Sequence, residues 1–307
     1  MKKSYLIISV LILALLAGCA PAAAKTTGSI NVYTRDASSG TRSAFFEFIS
    51  IVDATPLTSA AIEVTSSADM ATKVAADANG IGYTTLASAT GNASLLALKY
   101  NGIDASEANV LNGTYKLSRP FNLVTRASGD FSSPEQEQVV KAFVDYLMNS
   151  TEGHEVVASK GGIIESGSGT AWDTLKANYP ILATDVSGYT IKTGGSTSVD
   201  STLKAALEAF QALTGVKFEM NQTGSGDGFK RTLGADKDSV NAIDIGFASR
   251  TFKDTEPVTT AAVSGSYCFD AIVVVVNVKN TVLTDATTQQ LHDIYTGTVS
   301  KWENITK

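Results

Sequence analysis

Hydrophobic and polar positions alternate along this 307-residue chain with two periods, one typical of strands and one typical of helices. From residue 29 onward, short apolar runs are followed by segments whose apolar residues recur every three or four positions. Strands and helices that alternate in this way predict an α/β fold. The first series predicts a strand at 29–35, a helix at 43–52, a strand at 61–67, a helix at 69–77 and a strand at 80–86.

A second series of the same kind occupies the C-terminal half. Between the two, residues 115–126 are predicted to be extended and 134–150 to form an amphipathic helix that begins at Pro134. Residues 165–187 are rich in Gly and Ser at their start, contain Pro180 and predict a connector with at most a helical turn. The second series predicts strands at 189–195 and 216–222, helices at 198–215 and from 228, and fully buried strands at 242–250 and 269–278.

The N-terminus has the pattern of a secretory signal. Two lysines precede an apolar run that ends in Leu-Ala-Gly-Cys at residues 16–19. This ending resembles the bacterial lipobox, so we expect a signal peptide at 1–19, lipid attachment at Cys19 and a flexible tether at 20–27. Two acyl chains suffice for stable anchoring to a membrane. The alternative is an ordinary cleaved signal in which Cys19 is incidental.

Composition narrows the class of protein. About 280 residues remain after the leader, enough for one large domain or two ordinary ones. A net charge of −6 argues against nucleic acid as a partner, so any anion must be bound by local geometry. The other cysteine, Cys268, lies in an apolar run and is expected to be a small buried hydrophobe. A disulfide between two mature-chain cysteines and a cysteine-rich metal site are therefore not expected.

Three junctions share one design, in which a strand is followed by Gly, Ser and Thr and then by a helix. They lie at 34–46, 193–207 and 223–233. The first N–H groups of a helix lack intrahelical partners and carry partial positive charge, so they bind an anion readily. Each junction alone is equally an ordinary helix cap or turn. Three together predict convergence on one anion.

Arginines accompany the first junction. Arg35 precedes the turn and Arg42 follows it, and both supply charge-assisted donors suited to an oxyanion. Arg35 is the better candidate because Arg42 is equally explained as a solvated or ion-paired residue of the first helical turn. Residues 66–69 also precede a helix, and there simple capping is expected.

A further candidate lies where a buried strand ends, at Ser249 and Arg250. Ligands of open α/β sheets bind beyond the carboxyl ends of strands, which favours both residues as ligands. Arg250 is equally able to pair with Asp254 or Glu256.

Motifs for catalysis are missing from the sequence, which contains no GxSxG elbow, no Walker P-loop and no HExxH. The two histidines, His154 and His292, fall on helix-like segments and are expected at the surface or between helices. We therefore expect no enzyme activity, no metal and no cofactor.

Five motifs together resemble one family. GGSTSV, TGSGDGFK, IGFASRTFKDTE, LHDIYTGTVSKW and TRDASSGTR are similar to the motif series of phosphate-binding proteins that supply the phosphate-specific (Pst) ABC transporter. The resemblance covers nearly the whole mature chain. It implies a two-lobed periplasmic-binding-protein fold of type II that closes on inorganic phosphate. It also implies ABC permease subunits as partners, a monomer, and a lipid-anchored position on the extracytoplasmic face of the cell membrane.

The resemblance carries site residues with it, onto the positions that match the family motifs. The implied phosphate ligands are Arg35, Ser39, Gly40 and Thr41 from one lobe and Thr197, Ser198 and Ser225 from the other. Secondary candidates are Ser38, Arg42, Ser196, Gly226, Ser249 and Arg250.

One position departs from the family pattern. Some members carry an aspartate where this chain has Arg250, and that carboxylate accepts the proton of hydrogen phosphate. Its absence leaves Asp36 or Asp227 as acceptors, or a looser selectivity. Sulfate, molybdate or a phosphorylated small molecule stays open as the ligand. The functions of a signalling or structural lipoprotein and of a surface phosphate-ester hydrolase stay open as well.

The order of the motifs differs from the usual family order. Here the SGTR motif comes first and the chain ends just after the KW segment, so joining residue 307 to residue 28 would restore the usual order. We therefore predict a circular permutation, with a gene fragment as the alternative. Lobe two is expected to combine 28–113 with 276–307, and lobe one to be 114–275. The crossings between lobes are expected near 115–121 and 275–278.

Overall fold

The computed structural model describes residues 26–52, 56–165 and 167–306. The predicted signal peptide, the lipidation site Cys19 and most of the tether lie outside the described residues. The described chain has α/β architecture, and its strands form a nine-stranded mixed sheet and a separate two-stranded sheet. Over the ranges just given, none of the helices combines the length and the apolar character that a membrane span needs.

The elements alternate much as the sequence predicts. The strands are β1 (Asn31–Arg35), β2 (Ile62–Val64), β3 (Gly80–Thr85), β4 (Leu95–Ala97), β5 (Lys99–Tyr100), β6 (Ser118–Ala127), β7 (Thr190–Gly195), β8 (Lys217–Asn221), β9 (Ile245–Ala248), β10 (Ala262–Asn277) and β11 (Asp285–Ala286). The α-helices are α1 (Gly40–Phe48), α2 (Ser67–Ala76), α3 (Leu86–Thr90), α4 (Glu107–Leu111), α5 (Pro134–Asn149), α6 (Thr151–Ser159), α7 (Trp172–Lys176), α8 (Asp200–Thr214), α9 (Ser225–Thr232) and α10 (Thr288–Thr296). Short 3₁₀ helices lie at Pro180–Ala183, Thr197–Val199 and Trp302–Asn304.

The same βαβαβ topology occurs twice in the large sheet. In the first unit, β1, β2 and β3 are parallel in the order β2-β1-β3, and β10 runs antiparallel beside β3. In the second unit, β7, β8 and β9 are parallel in the order β8-β7-β9, and β6 runs antiparallel beside β9. Strands β6 and β10 pair with each other and join the two units into one sheet.

Each unit has its own hydrophobic core. One core surrounds β1–β3 and the C-terminal part of β10, and the other surrounds α5, α8 and the strands of the second unit. The two cores meet at the start of β6, between Leu117 and Phe121, and along β10, between Cys268 and Ala271. Cys268 is buried in the second core, as its apolar surroundings in the sequence predict. The two long strands β6 and β10 therefore connect the two cores. On β10 the change of core lies at 268–271, several residues before the crossing at 275–278 that the sequence analysis predicts.

Helix ends agree with the capping signals in the sequence. Pro134 starts α5, the Ser133 side chain accepts a hydrogen bond from the Gln136 N–H, and the predicted apolar stripe of this helix is buried. Helix α8 ends at Gly215, whose φ of 82° lies in the left-handed region that favours glycine. It begins two residues later than predicted, because Thr197–Val199 form a 3₁₀ turn first.

An aromatic side chain, Trp172, anchors the connector at 165–187 to the second core. Trp172, in the single turn of α7, is 3% exposed and packs edge-on against Tyr146 and Phe210 at centroid distances of 5.2 and 5.8 Å. The short helices α7 and Pro180–Ala183 are the helical turns that the Gly, Ser and Pro pattern allowed.

The two ends of the described chain lie side by side. Ser29 and Lys301 form an antiparallel bridge, and the Trp302 N–H donates to the Gly28 carbonyl oxygen at 3.0 Å. The Glu303 carboxylate accepts the Gly28 N–H at 2.8 Å, and the Trp302 side chain is fully buried. A short linker is therefore enough to join these ends, as the predicted permutation requires.

We expect a repermuted chain to fold. It begins at Gly167, runs to residue 306, continues through a linker of about six Gly and Ser residues and then runs from 28 to 165. Contacts define both cores and all of them are kept, so thermal unfolding should stay cooperative, with a Tm within about 5 °C of the original. As a control, the same linker with the chain opened between Ala271 and Ile272 breaks β10 and should prevent folding. Loss of cooperative unfolding in the chain that begins at Gly167 would contradict the conclusion that residues 28 and 306 lie close enough to be joined.

Candidate functional site

The loops that follow the strands of the two units face each other. Arg35 ends β1 and is 1% exposed, and Ser39 caps helix α1, with its side chain accepting the Arg42 N–H at 3.3 Å. Opposite them, Thr197 and Ser198 follow β7, and Ser225 begins α9 after β8. The three junctions singled out in the sequence thus meet at one place, between the lobes.

Six buried hydroxyl groups form the centre of this place, and we call them the hydroxyl cluster. Its members are Thr41, Ser67, Ser196, Ser198, Ser225 and Ser249. The Ser198 Oγ lies 2.8 Å from the Thr41 Oγ1 and 3.2 Å from the Ser67 Oγ, which links lobe one to lobe two. The Ser249 Oγ lies 2.9 Å from the Ser196 Oγ and 3.3 Å from the Ser225 Oγ. Hydroxyls donate and accept, so the cluster adapts to a polar ligand.

Two buried arginines border the hydroxyl cluster. Arg35 donates from NH1 to the Thr197 Oγ1 at 3.1 Å and from Nε to the Val64 carbonyl oxygen at 3.1 Å. Arg119, on β6, donates from NH1 to the Ser249 Oγ and from NH2 to the Ser198 Oγ, both at 3.1 Å. The place where the lobes meet therefore combines hydroxyl donors with two guanidinium cations.

Each arginine has an aspartate partner. Asp36 lies 3.4 Å from Arg35, and Asp270 lies 3.0 Å from Arg119. Burial raises the pKa of Asp270 to about 6, against the opposing charge of Arg119. Burial also raises the pKa of Asp36, but hydrogen bonds from Ser38 and the charge of Arg35 outweigh it, so the net pKa lies below its usual value. Asp36 is thus ionised at neutral pH, with its Oδ1 occupied by the N–H and hydroxyl of Ser38.

The lobes approach closely at Gly40. A methyl group at this position would lie 2.3 Å from the Ser225 Oγ and 2.8 Å from the Ser249 Oγ, across the boundary between the lobes. Nearby, the Gly226 N–H donates to the Ser38 carbonyl oxygen at 3.3 Å. The first turn of α1 therefore needs glycine for close backbone approach to lobe one.

The structure separates the predicted residues into two groups. Eleven lie at the meeting of the lobes, namely Arg35, Ser38, Ser39, Gly40, Thr41, Ser196, Thr197, Ser198, Ser225, Gly226 and Ser249. Arg42 and Arg250 point their guanidinium groups elsewhere. Arg42 donates to the Arg35 carbonyl oxygen at 3.1 Å and covers the Phe46 ring. Arg250 forms a two-pronged ion pair with Glu256 at 2.7 and 2.8 Å, one of the two pairings that the sequence allows.

The remaining titratable candidates also have local partners. Asp227 accepts a hydrogen bond from the Thr223 hydroxyl at 2.6 Å. The ring nitrogens of His154 lie 2.8 and 2.9 Å from the Met148 and Ser168 carbonyl oxygens, and His292 Nδ1 lies 3.0 Å from that of Ile49. None of these contacts involves the hydroxyl cluster.

Sequence reasoning missed two residues, Ser67 and Arg119. Ser66 caps α2 as expected, accepting the Asp69 N–H at 2.9 Å, but its neighbour Ser67 turns into the hydroxyl cluster. The repeated topology contains the missing signal, because the β2–α2 junction occupies the position in the first unit that β8–α9 occupies in the second. Arg119 gave only a weak signal, a charge inside a predicted strand, and its partner is 151 residues away.

Comparison with known proteins agrees with this architecture. A family model described as a PBP superfamily domain matches residues 166–306, which include the second βαβαβ unit. "Phosphate-binding protein PstS 2" of Streptococcus agalactiae serotype V is 33% identical over 302 residues, covering 95% of this chain and 94% of that protein. The protein of the same name from Streptococcus pneumoniae serotype 4 is 31% identical over 290 residues, covering 91% of this chain and 88% of its own length.

A solved structure gives the same result in three dimensions. The phosphate-binding protein of a phosphate ABC transporter from Streptococcus pneumoniae is 28% identical and superposes with a TM-score of 0.64, covering 91% of this chain and 100% of that chain. Three findings point to the same family: this structural match, the sequence identity to the relatives, and the two βαβαβ units joined by crossing strands. The chain belongs to the family of phosphate-binding proteins of ABC transporters and has the two-lobed, type II periplasmic-binding-protein fold.

Proposed function

We propose that this protein captures inorganic phosphate between its two lobes and delivers it to an ABC importer. One observation carries the proposal: two buried arginines and six buried hydroxyls from both lobes converge at a single place. The names of the relatives support phosphate as the ligand and an ABC permease as the partner. A binding role rather than a catalytic one is supported by the contacts of both histidines, which lie away from the cluster.

The chemistry of the cluster suits a tetrahedral oxyanion. Arg35 offers charge-assisted hydrogen bonds, and the N-terminal turns of α1 and α9 add backbone N–H groups and partial positive charge. Hydroxyl oxygens also accept hydrogen bonds, so a member of the cluster accepts the hydrogen bond that the P–OH group of hydrogen phosphate donates, where some family members use an aspartate. Asp36 and Asp227 already accept hydrogen bonds from Ser38 and Thr223, which favours a hydroxyl acceptor. Sulfate is the competitor that tests this assignment, because it lacks the proton.

The leader places this function at the outside of the cell. The Leu-Ala-Gly-Cys ending at 16–19 supports lipid attachment at Cys19, which would hold the binding domain beside the permease. The extracytoplasmic position agrees with relatives that are named as transporter binding proteins. We propose that it acts there as a monomer.

Removing Arg35 should weaken phosphate binding. An Arg35→Ala variant loses a buried guanidinium and leaves its carboxylate partner behind, so we expect a loss of about 2–5 kcal/mol in the free energy of phosphate binding. Titration calorimetry with phosphate and with sulfate measures the binding free energies, and circular dichroism checks the fold. Arg231→Ala is the control, because Arg231 bonds to carbonyl groups of Asn221 and Asn241, away from the cluster. Unchanged affinity in Arg35→Ala, or sulfate binding with phosphate silent, would contradict the proposal.

A methyl group at position 40 should hold the lobes apart. Because a Cβ there meets hydroxyls of lobe one at 2.3 and 2.8 Å, we expect Gly40→Ala to weaken phosphate binding by roughly tenfold or more, with little change in Tm. Gly188→Ala is the matched control, since a Cβ at Gly188 meets nothing within 4 Å. Equal phosphate affinity in the two variants would show that closure of the lobes on phosphate does not depend on the close approach at Gly40.

Lipid attachment is tested separately. A Cys19→Ala variant, expressed in a bacterium that processes lipoproteins, should leave the membrane fraction and lose labelling by a palmitate analogue. The original chain should show both. Release of both proteins from the membrane fraction, with no labelling of either, would favour an ordinary cleaved signal with an incidental cysteine.

A further inference from the structure

A second arginine occupies the strands that connect the lobes. Arg119 on β6 and Asp270 on β10 are directly opposite each other in the antiparallel register, and both side chains are 2% exposed. The Asp270 Oδ2 accepts hydrogen bonds from Arg119 Nε at 3.2 Å and from NH2 at 3.0 Å. The pair thus lies where the two cores meet, at the crossing between the lobes.

The other donors of Arg119 point into the hydroxyl cluster. NH1 donates to Ser249 and NH2 donates to Ser198, each at 3.1 Å. Ser198 is the hydroxyl that contacts Thr41 and Ser67 across the boundary between the lobes. Arg119 therefore reaches the hydroxyls of the proposed phosphate site directly.

Stability alone does not account for this arrangement. Burying an ion pair costs desolvation that its attraction often fails to repay, so a hydrophobic pair of similar volume would hold two strands equally well. An ion pair with a purely structural role also needs no guanidinium N–H groups beyond those that donate to its carboxylate. Here a guanidinium is fixed by Asp270 on one side and presents its remaining N–H groups to the site.

We propose that Arg119 is a second anion-binding arginine and that Asp270 is the residue that positions it. The inference rests on the proposed function and deepens it: Arg35 and Arg119 supply two guanidinium groups, one from each lobe, to a doubly charged oxyanion. Arg119 and Asp270 belong to β6 and β10, the strands that cross between the lobes. The ligand therefore contacts these connecting strands as well as the facing loops.

The test removes both charges together, because Arg119→Met alone leaves Asp270 buried without a partner. We expect Arg119→Met with Asp270→Asn to remain folded and to bind phosphate at pH 8 roughly 10- to 100-fold more weakly, the loss typical of hydrogen bonds to a charged group. The control is Arg126→Met with Asp238→Asn, which removes an ion pair at the other end of β6. Phosphate affinity within twofold of the original chain in the Arg119 double variant would overturn the inference. Failure of the original chain itself to bind phosphate would overturn the proposed function as well.

A pH series tests the positioning role of Asp270. The groups around its carboxylate are Arg119, Tyr115, Tyr267 and Cys268, and burial raises the pKa of the last three, so they stay neutral from pH 5 to 8. Asp270 itself has a pKa of about 6, so it is charged above that pH and neutral below it. In the Asp270→Asn variant the side chain at position 270 is neutral at every pH of the series. Phosphate itself titrates in this range, but it does so equally for both proteins, so the ratio of the variant's Kd to that of the original chain removes this effect.

We expect this Kd ratio to be about fivefold at pH 8, where the charged Asp270 orients Arg119, and to approach one at pH 5. Asp270→Glu, which keeps the charge, should restore part of the affinity at pH 8. A Kd ratio that stays constant from pH 5 to 8 would contradict a positioning role through charge.

Discussion

Two guanidinium charges in the interior are the constraint on which the rest of this structure depends. A buried cation is tolerated only when carboxylates, carbonyls or hydroxyls surround it, because water no longer does. Arg35 is met by Asp36, Thr197 and the Val64 carbonyl, and Arg119 by Asp270, Ser198 and Ser249. The partners of Arg35 come from both lobes, so its charge is fully met only when the two lobes are together, whereas the partners of Arg119 all belong to lobe one.

The repeated βαβαβ topology explains how the chain brings these partners together. Parallel strands point their carboxyl ends toward one edge, and helices begin there with unpaired N–H groups and capping hydroxyls. Two such units, joined by the long strands β6 and β10, turn those edges toward each other. The site is thus a consequence of the topology, and Gly40 permits the final approach because no side chain intervenes.

Much of this was predictable from the pattern of residues. The alternation of strands and helices and the start of α5 at Pro134 follow from local rules, and the structure confirms them. The three Gly, Ser and Thr junctions also meet at one place. Ser67 was missed because its neighbour Ser66 already explains the local sequence as a cap. Arg119 was missed because its partners Asp270, Ser198 and Ser249 are distant in the chain, and only the register of β6 and β10 brings them together. The order of the motifs relative to other family members stays a prediction, which the adjacent ends of the chain permit.

The most direct test of the account is a crystal structure of the protein with phosphate bound. We predict one phosphate between the lobes, with oxygens within about 3.2 Å of guanidinium nitrogens of both Arg35 and Arg119 and of hydroxyls from both lobes. A phosphate that contacts the loops of a single lobe, or that leaves Arg119 bonded only to protein atoms, would contradict the central claim that both buried arginines bind the anion.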